Sequence, residues 1–272
     1  MIKKYVFYVF IILSFVISWT GWLILILTNT EPGFFNPWKL LAAFGPSVVG
    51  LFAIYTYSGR DGLRKVWKQL IDWSRPKIFW YVFSLAGPPL AMLASLGFHI
   101  ILGGEGLTFN DPAEIYRVIP VFFLVLIFSV LGEEVGWRGF ALSWLQERFN
   151  AFQSSLILGV IWALWHLPLF WISGDFHQQL PISWFIIQTI TLTFIYTWIF
   201  NATNQSLLII LLFHAASNTA FGVLPMLPEL ANGSTQPAWI LVILQFAAVC
   251  LLLLINGPKT LTKRSDPLNM QN

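Results

Sequence analysis

Long uncharged stretches alternate with short polar ones along this chain. The apolar stretches run over about 5–29, 40–58, 78–102, 117–147, 151–172, 182–201, 205–226 and 237–256, each near the ~20 residues that cross ~30 Å of hydrocarbon. The pattern predicts an all-α, polytopic membrane helix bundle of about eight transmembrane helices, a single membrane domain over 1–272. Lys3 and Lys4 precede the first stretch as they would in a signal peptide. The run Ile11 to Leu27 is long and lacks a small-residue cleavage site, which predicts a retained helix. Between the second and third stretches, Leu63, Val66, Trp67, Leu70, Ile71 and Trp73 fall at helical spacing among basic residues, the pattern of a helix lying on the inner leaflet. Proline interrupts several stretches. Gly45-Pro46 predicts a kink, and Gly87-Pro88-Pro89 predicts a bend or break turned toward the bundle interior.

Composition agrees with the pattern: 57% of residues are hydrophobic, 10% are charged and the mean hydropathy is +0.73, values foreign to soluble domains. Basic residues collect in alternate loops, at Lys3 and Lys4, then Arg60, Arg64, Lys65, Lys68, Arg75 and Lys77, then Arg148, then Lys259, Lys263 and Arg264. The other loops hold mainly acids: Glu31, Glu105, Asp111, Glu114, Asp175 and Glu229. Because Lys and Arg accumulate on the cytoplasmic side, both termini are expected there, in a multi-pass protein of the plasma membrane. This topology accounts for the net charge of +3, and no nucleic-acid partner is expected; the lipid bilayer is. Cys250 is the one cysteine, so neither an intrachain disulfide nor a cysteine metal site can form.

Against this background Leu131-Gly132-Glu133-Glu134-Val135-Gly136-Trp137-Arg138 stands out, because an ionised side chain in the bilayer interior costs at least ~2.5 to 3.5 kcal/mol. On a helix Glu134 and Arg138 are i and i+4, acid first, the favourable order for a pair. Glu133 is turned about 100° away and must find another partner. The fifth stretch ends in Trp162-Ala163-Leu164-Trp165-His166-Leu167-Pro168, and the seventh holds His214 and Asn218 on one face, separated by small residues. Counting residues from the cytoplasmic turns puts Glu133, His166 and Asn218 at a common depth of ~20 Å, with His214 one turn nearer the cytoplasm. One shared site over residues 115–225 is expected. His99 and His177 read as interfacial histidines, and the sixth and eighth stretches, without an ionisable residue in their interiors, as packing helices.

Two imidazoles and a carboxylate permit two chemistries. They can bind zinc with an open position for water, through Glu133, His166 and His214, or they can activate water without metal, Glu as base and His as orienter, since a buried carboxylate is a stronger base than an exposed one. No H-E-x-x-H motif is present, and the fifth and seventh stretches hold no further carboxylate to orient an imidazole; the metal-free route is the expectation. His214 and Asn218 would then donate to a developing oxyanion. The same residue types also mark ion or proton-coupled transporters, although no internal repeat is visible, and a non-catalytic scaffold or immunity protein is the third reading.

The motifs Glu133-Glu134-x-x-x-Arg138, Trp162-x-x-x-His166 and His214-x-x-x-Asn218 resemble those of the CPBP family of intramembrane proteases, which includes the type II CAAX prenyl endopeptidases and bacteriocin-processing or Abi-type proteins. Trp162 stands where the family usually has Phe, a change that bears on the shape of a substrate-binding pocket. The resemblance implies an endopeptidase acting on a peptide or protein substrate, lipidated in some members. Glu133 and His166 would activate water, His214 and Asn218 would hold the oxyanion, and Glu134 and Arg138 would brace the site. Family members have been described both as metalloproteases and as glutamate-dependent enzymes.

Overall fold

The computed structural model describes residues 5–108 and 116–263. Lys3, Lys4, Asp111, Glu114 and Arg264 of the charge pattern lie outside them. Eight main helices follow in order: α1 Val6–Thr28, α2 Pro37–Ile71, α3 Ile78–Ile101, α4 Val118–Gln146, α5 Ala151–Trp165, α6 Ile182–Ala202, α7 Leu207–Val223 and α8 Gln236–Asn256. Among the described residues the only β pairing is one isolated bridge, Leu107 with Ala231. Seven of the helical segments are long and apolar enough to cross a membrane, so this is a multi-pass integral membrane protein. The seventh predicted span falls short of that length, whereas α5 is carried on to Trp171 by a 3-10 turn. At 17 residues α7 is only ~26 Å long, and most of its length, including Ile209, Ile210, Phe213, His214 and Ala215, is buried by neighbours.

The amphipathic segment is continuous with α2. Gly59, at φ 66° and ψ −154°, turns the chain between an apolar arm and a basic one, a conformation that a residue with a Cβ resists. In the apolar arm Pro46 removes the N–H that would bond the Ala42 carbonyl, and Ser18 of α1 takes its place with a 2.6 Å hydrogen bond from Oγ. The expected disruption at Gly87-Pro88-Pro89 is not an end of helix: α3 passes through all three residues, with Pro88 buried.

α4 lies against α2 at very short range. A Cβ on Gly132 would come within 2.4 Å of the Ala43 carbonyl oxygen, one on Gly136 within 2.2 Å of the Pro46 carbonyl oxygen, and one on Gly50 within 2.6 Å of the Gly136 Cα. Two glycines four residues apart therefore let the backbones meet, as small residues do wherever membrane helices approach closely. Ser47 adds a 2.8 Å hydrogen bond to the Leu131 carbonyl. This seam fixes the rotation of α4, and with it the directions of Glu133 and Glu134.

Candidate active site

Glu133 and Glu134 occupy one α-helical turn, Leu131–Glu134, between π-helical stretches Leu126–Val130 and Val135–Leu142. Turns closed by i to i+5 bonds are uncommon and concentrate at functional sites, where they re-aim side chains. The two carboxylates diverge as expected. Glu134 Oε1 accepts from Arg138 Nη1 at 2.9 Å, with both side chains fully buried. The same oxygen lies 2.6 Å from His214 Nδ1. Against a carboxylate that nitrogen carries the proton, which leaves Nε2 as the free edge of the ring.

Arg138 is held by more than charge. Its guanidinium lies 4.0 Å from the Trp162 ring centre and 4.2 Å from that of Tyr196, so it is sandwiched between two aromatic faces. Trp162 then reaches the other carboxylate, with Nε1 donating to Glu133 Oε2 at 2.9 Å. Its ring also stands edge to face with His166 and His214, centroids 5.4 and 5.6 Å away. Trp162, expected to shape a substrate pocket, is thus buried at the centre of the cluster, joining Glu133, Arg138 and both histidines.

His166 is placed by the end of α5. Pro168 cannot continue the helix, and Leu167–Trp171 tightens into a 3-10 turn. The His166 N–H bonds the Ala163 carbonyl at 3.2 Å, so the Trp162 carbonyl is free to accept from His166 Nδ1 at 2.7 Å. That bond selects the tautomer whose Nε2 carries a lone pair. Nε2 stands 4.0 Å from Glu133 Oε2, too far for a direct hydrogen bond and suited to one bridging water.

Glu133, His166 and His214 therefore meet in one cluster around Trp162, while Asn218, one turn after His214, is exposed. The imidazoles do have orienting partners: Glu134 on α4 serves His214, and the Trp162 carbonyl serves His166. Among the described residues no group of three His, Cys, Asp or Glu side chains is disposed to hold a metal ion.

Two residues went unrecognised in the sequence. Tyr196, on a helix read as packing only, is fully buried against Arg138, and its ring centre lies 5.6 Å from that of His214. A lone polar ring within Thr193-Phe194-Ile195-Tyr196-Thr197 was the available signal. His177, read as interfacial, is 6% exposed and stacks 6.1 Å from His166. His99 is likewise buried, its Nδ1 bonded to Gln236 of α8, away from the cluster.

Residues 116–220 match the model of the Rce1-like family, described as type II CAAX prenyl endopeptidase Rce1-like. The CAAX prenyl protease 2 of Methanococcus maripaludis is 28% identical over 144 residues, which cover 48% of this chain and 51% of that relative. The chain thus spans about half the length of the curated relative it matches. The matched segment holds all three motifs.

Proposed function

We propose that the protein is an intramembrane endopeptidase that hydrolyses a peptide bond with water activated by Glu133 and His166. The observation that carries this reading is the 4.0 Å gap between Glu133 Oε2, which accepts from Trp162 Nε1 and keeps a second lone pair, and His166 Nε2, whose lone pair is left open by the bond from Nδ1 to the Trp162 carbonyl. A water between them donates one hydrogen to each at ~2.8 Å, which turns an oxygen lone pair toward a substrate carbonyl. Attack forms the C–O bond and moves the carbonyl π electrons onto oxygen, while Glu133 takes the proton. Collapse expels the amine, which recovers that proton from Glu133.

The oxyanion needs donors. His214 Nε2 is the free edge of the ring because Nδ1 faces Glu134, and it donates to the oxyanion when it too carries a hydrogen. Asn218 supplies a second donor from the exposed turn above. No step requires a metal. The relative, named a CAAX prenyl protease, supports a peptide or protein substrate, lipidated or not.

Purified protein in nanodiscs, offered a quenched fluorescent peptide with and without a prenyl group, tests this. Wild type should cleave after exhaustive chelation, and E133Q should fold normally with a rate at least about a hundredfold lower. Activity retained by E133Q, or lost on chelation and restored by stoichiometric zinc, refutes the mechanism.

A further inference from the structure

The loop that leaves His166 returns to it. After the 3-10 turn Leu167–Trp171 the chain reverses at Gly174, φ 75°, and enters a second short turn, Phe176–Gln179, that lays His177 beside the His166 ring. The two imidazoles are near parallel, 29° apart, with centroids separated by 6.1 Å. Three other rings meet His166 edge to face, Trp165 at 4.6 Å, Phe185 at 5.1 Å and Trp162 at 5.4 Å, and Trp22 stacks on it from 6.4 Å. His177 is thus a stacked neighbour that carries a hydrogen-bonding group, and that group is engaged. Asp175 Oδ1 lies 2.5 Å from its Nδ1 and also accepts its backbone N–H at 3.1 Å. Phe176 and Phe185 close around the His177 ring, at 4.0 and 4.9 Å.

A phenyl ring in place of His177 would fill the same volume and remove the same apolar surface from water. What an imidazole adds is a fixed plane, because a carboxylate that holds both the side-chain and main-chain N–H of one residue leaves the ring little freedom to rotate. Asp175 also holds its charge in this setting: burial alone would raise its pKa, but the His177 hydrogen bond and charge, its backbone N–H and nearby Lys39 bring it below the usual carboxylate range. His166 itself has one polar tether, the bond from Nδ1 to the Trp162 carbonyl, and a single tether permits the ring to tilt about it.

We infer that the Asp175–His177 pair positions His166, locking the imidazole plane so that Nε2 stays directed at the water-sized gap beside Glu133. His177 is a positioning residue here and touches no reacting atom. The inference rests on the proposed use of His166 in hydrolysis, so the test pairs kinetics with a readout that needs no substrate. Four variants serve: H177F keeps the packing, H177N keeps a donor to Asp175 without the ring, D175L removes the acceptor and leaves both imidazoles in place, and D175N keeps an acceptor oxygen. Expected are a fall of about tenfold in kcat for H177F, H177N and D175L with KM within about twofold, the signature of lost alignment in place of lost binding. D175N should restore most of that loss. H177F combined with D175L should be no worse than either alone.

Nitrogen NMR of histidine-labelled protein in nanodiscs supplies the second readout, with only four imidazoles to assign. In D175L the His166 signals should broaden or double, and in D175N they should match wild type. Wild-type kcat in H177F and D175L, a change confined to KM, or a His166 spectrum unaltered by D175L would each overturn the inference. If wild type cleaves no peptide, the proposed function fails while the D175L spectrum still decides the positioning claim. Should H177F not fold, D175L and D175N decide it between them.

Discussion

Replacing Glu134 by Gln removes one charge from a pair whose two side chains are both inaccessible to solvent. At 2.9 Å and an effective dielectric of 20, the attraction between unit charges is about 6 kcal/mol. A Gln oxygen still accepts from Arg138 or His214, which returns about 1 kcal/mol. The faces of Trp162 and Tyr196 continue to hold the guanidinium, and Arg138 Nε and Nη2 lack acceptors in the wild-type fold already. The net loss is then about 3 to 5 kcal/mol, the range for breaking a buried pair from one side. That is a large fraction of the ~5 to 15 kcal/mol that separates folded from unfolded states in most proteins. Thermal unfolding in detergent, with a companion E134Q/R138M variant, measures it. E134Q should melt well below wild type, and the double variant should recover most of the loss because an apolar side chain replaces the stranded cation. Both should lack peptidase activity, since His214 has lost the carboxylate that orients it. E134Q as stable as wild type, or a double variant no more stable than E134Q, would refute the account of Glu134 as a structural counter-ion.

Gly136→Ala should destabilise by about 1 to 3 kcal/mol or more, because its Cβ would meet the Pro46 carbonyl oxygen at 2.2 Å; a melting temperature equal to wild type would contradict the tight α2–α4 seam. Ser18→Ala leaves the buried Ala42 carbonyl without a donor and should cost about 1 to 3 kcal/mol, and Pro46→Ala, which restores the missing backbone N–H, should suppress that loss in the double variant. The lowered pKa of Asp175 carries a sign: burial opposes ionisation, but the His177 bonds and Lys39 outweigh it, so this contribution to stability is present above the usual carboxylate range and is lost as pH falls through the lowered value. Amide exchange in residues 173–180, corrected for intrinsic rate, should therefore stay protected at neutral pH and open only in strong acid, and opening near pH 6 would contradict it.

The features legible in the sequence are those with a local period. Eight apolar stretches mark the helices because lipid requires a run of apolar side chains, and each of them appears. Glu134 and Arg138 are four residues apart on one helix, so their pairing follows from the helical repeat. Pro168 ends α5 because its ring admits no hydrogen bond to the preceding turn. The three short motifs, read as one region over 115–225, fall within the segment 116–220 that matches the Rce1-like model. Contacts between helices are of another kind. That His214 turns to Glu134, 80 positions away, depends on how α4 and α7 are rotated about their axes. The rotation of α4 is decided by the Gly132 and Gly136 seam and by two π-helical stretches, whose different turn shifts the angular register that a 3.6-residue count assumes. Tyr196 looked like packing because its partner Arg138 belongs to another helix, and His177 looked interfacial because nothing in its own segment tells that Gly174 folds the loop back onto His166. Burying one cationic side chain required aromatic faces from two further helices, Trp162 on α5 and Tyr196 on α6, and only the packed bundle brings those faces within 4.2 Å of it.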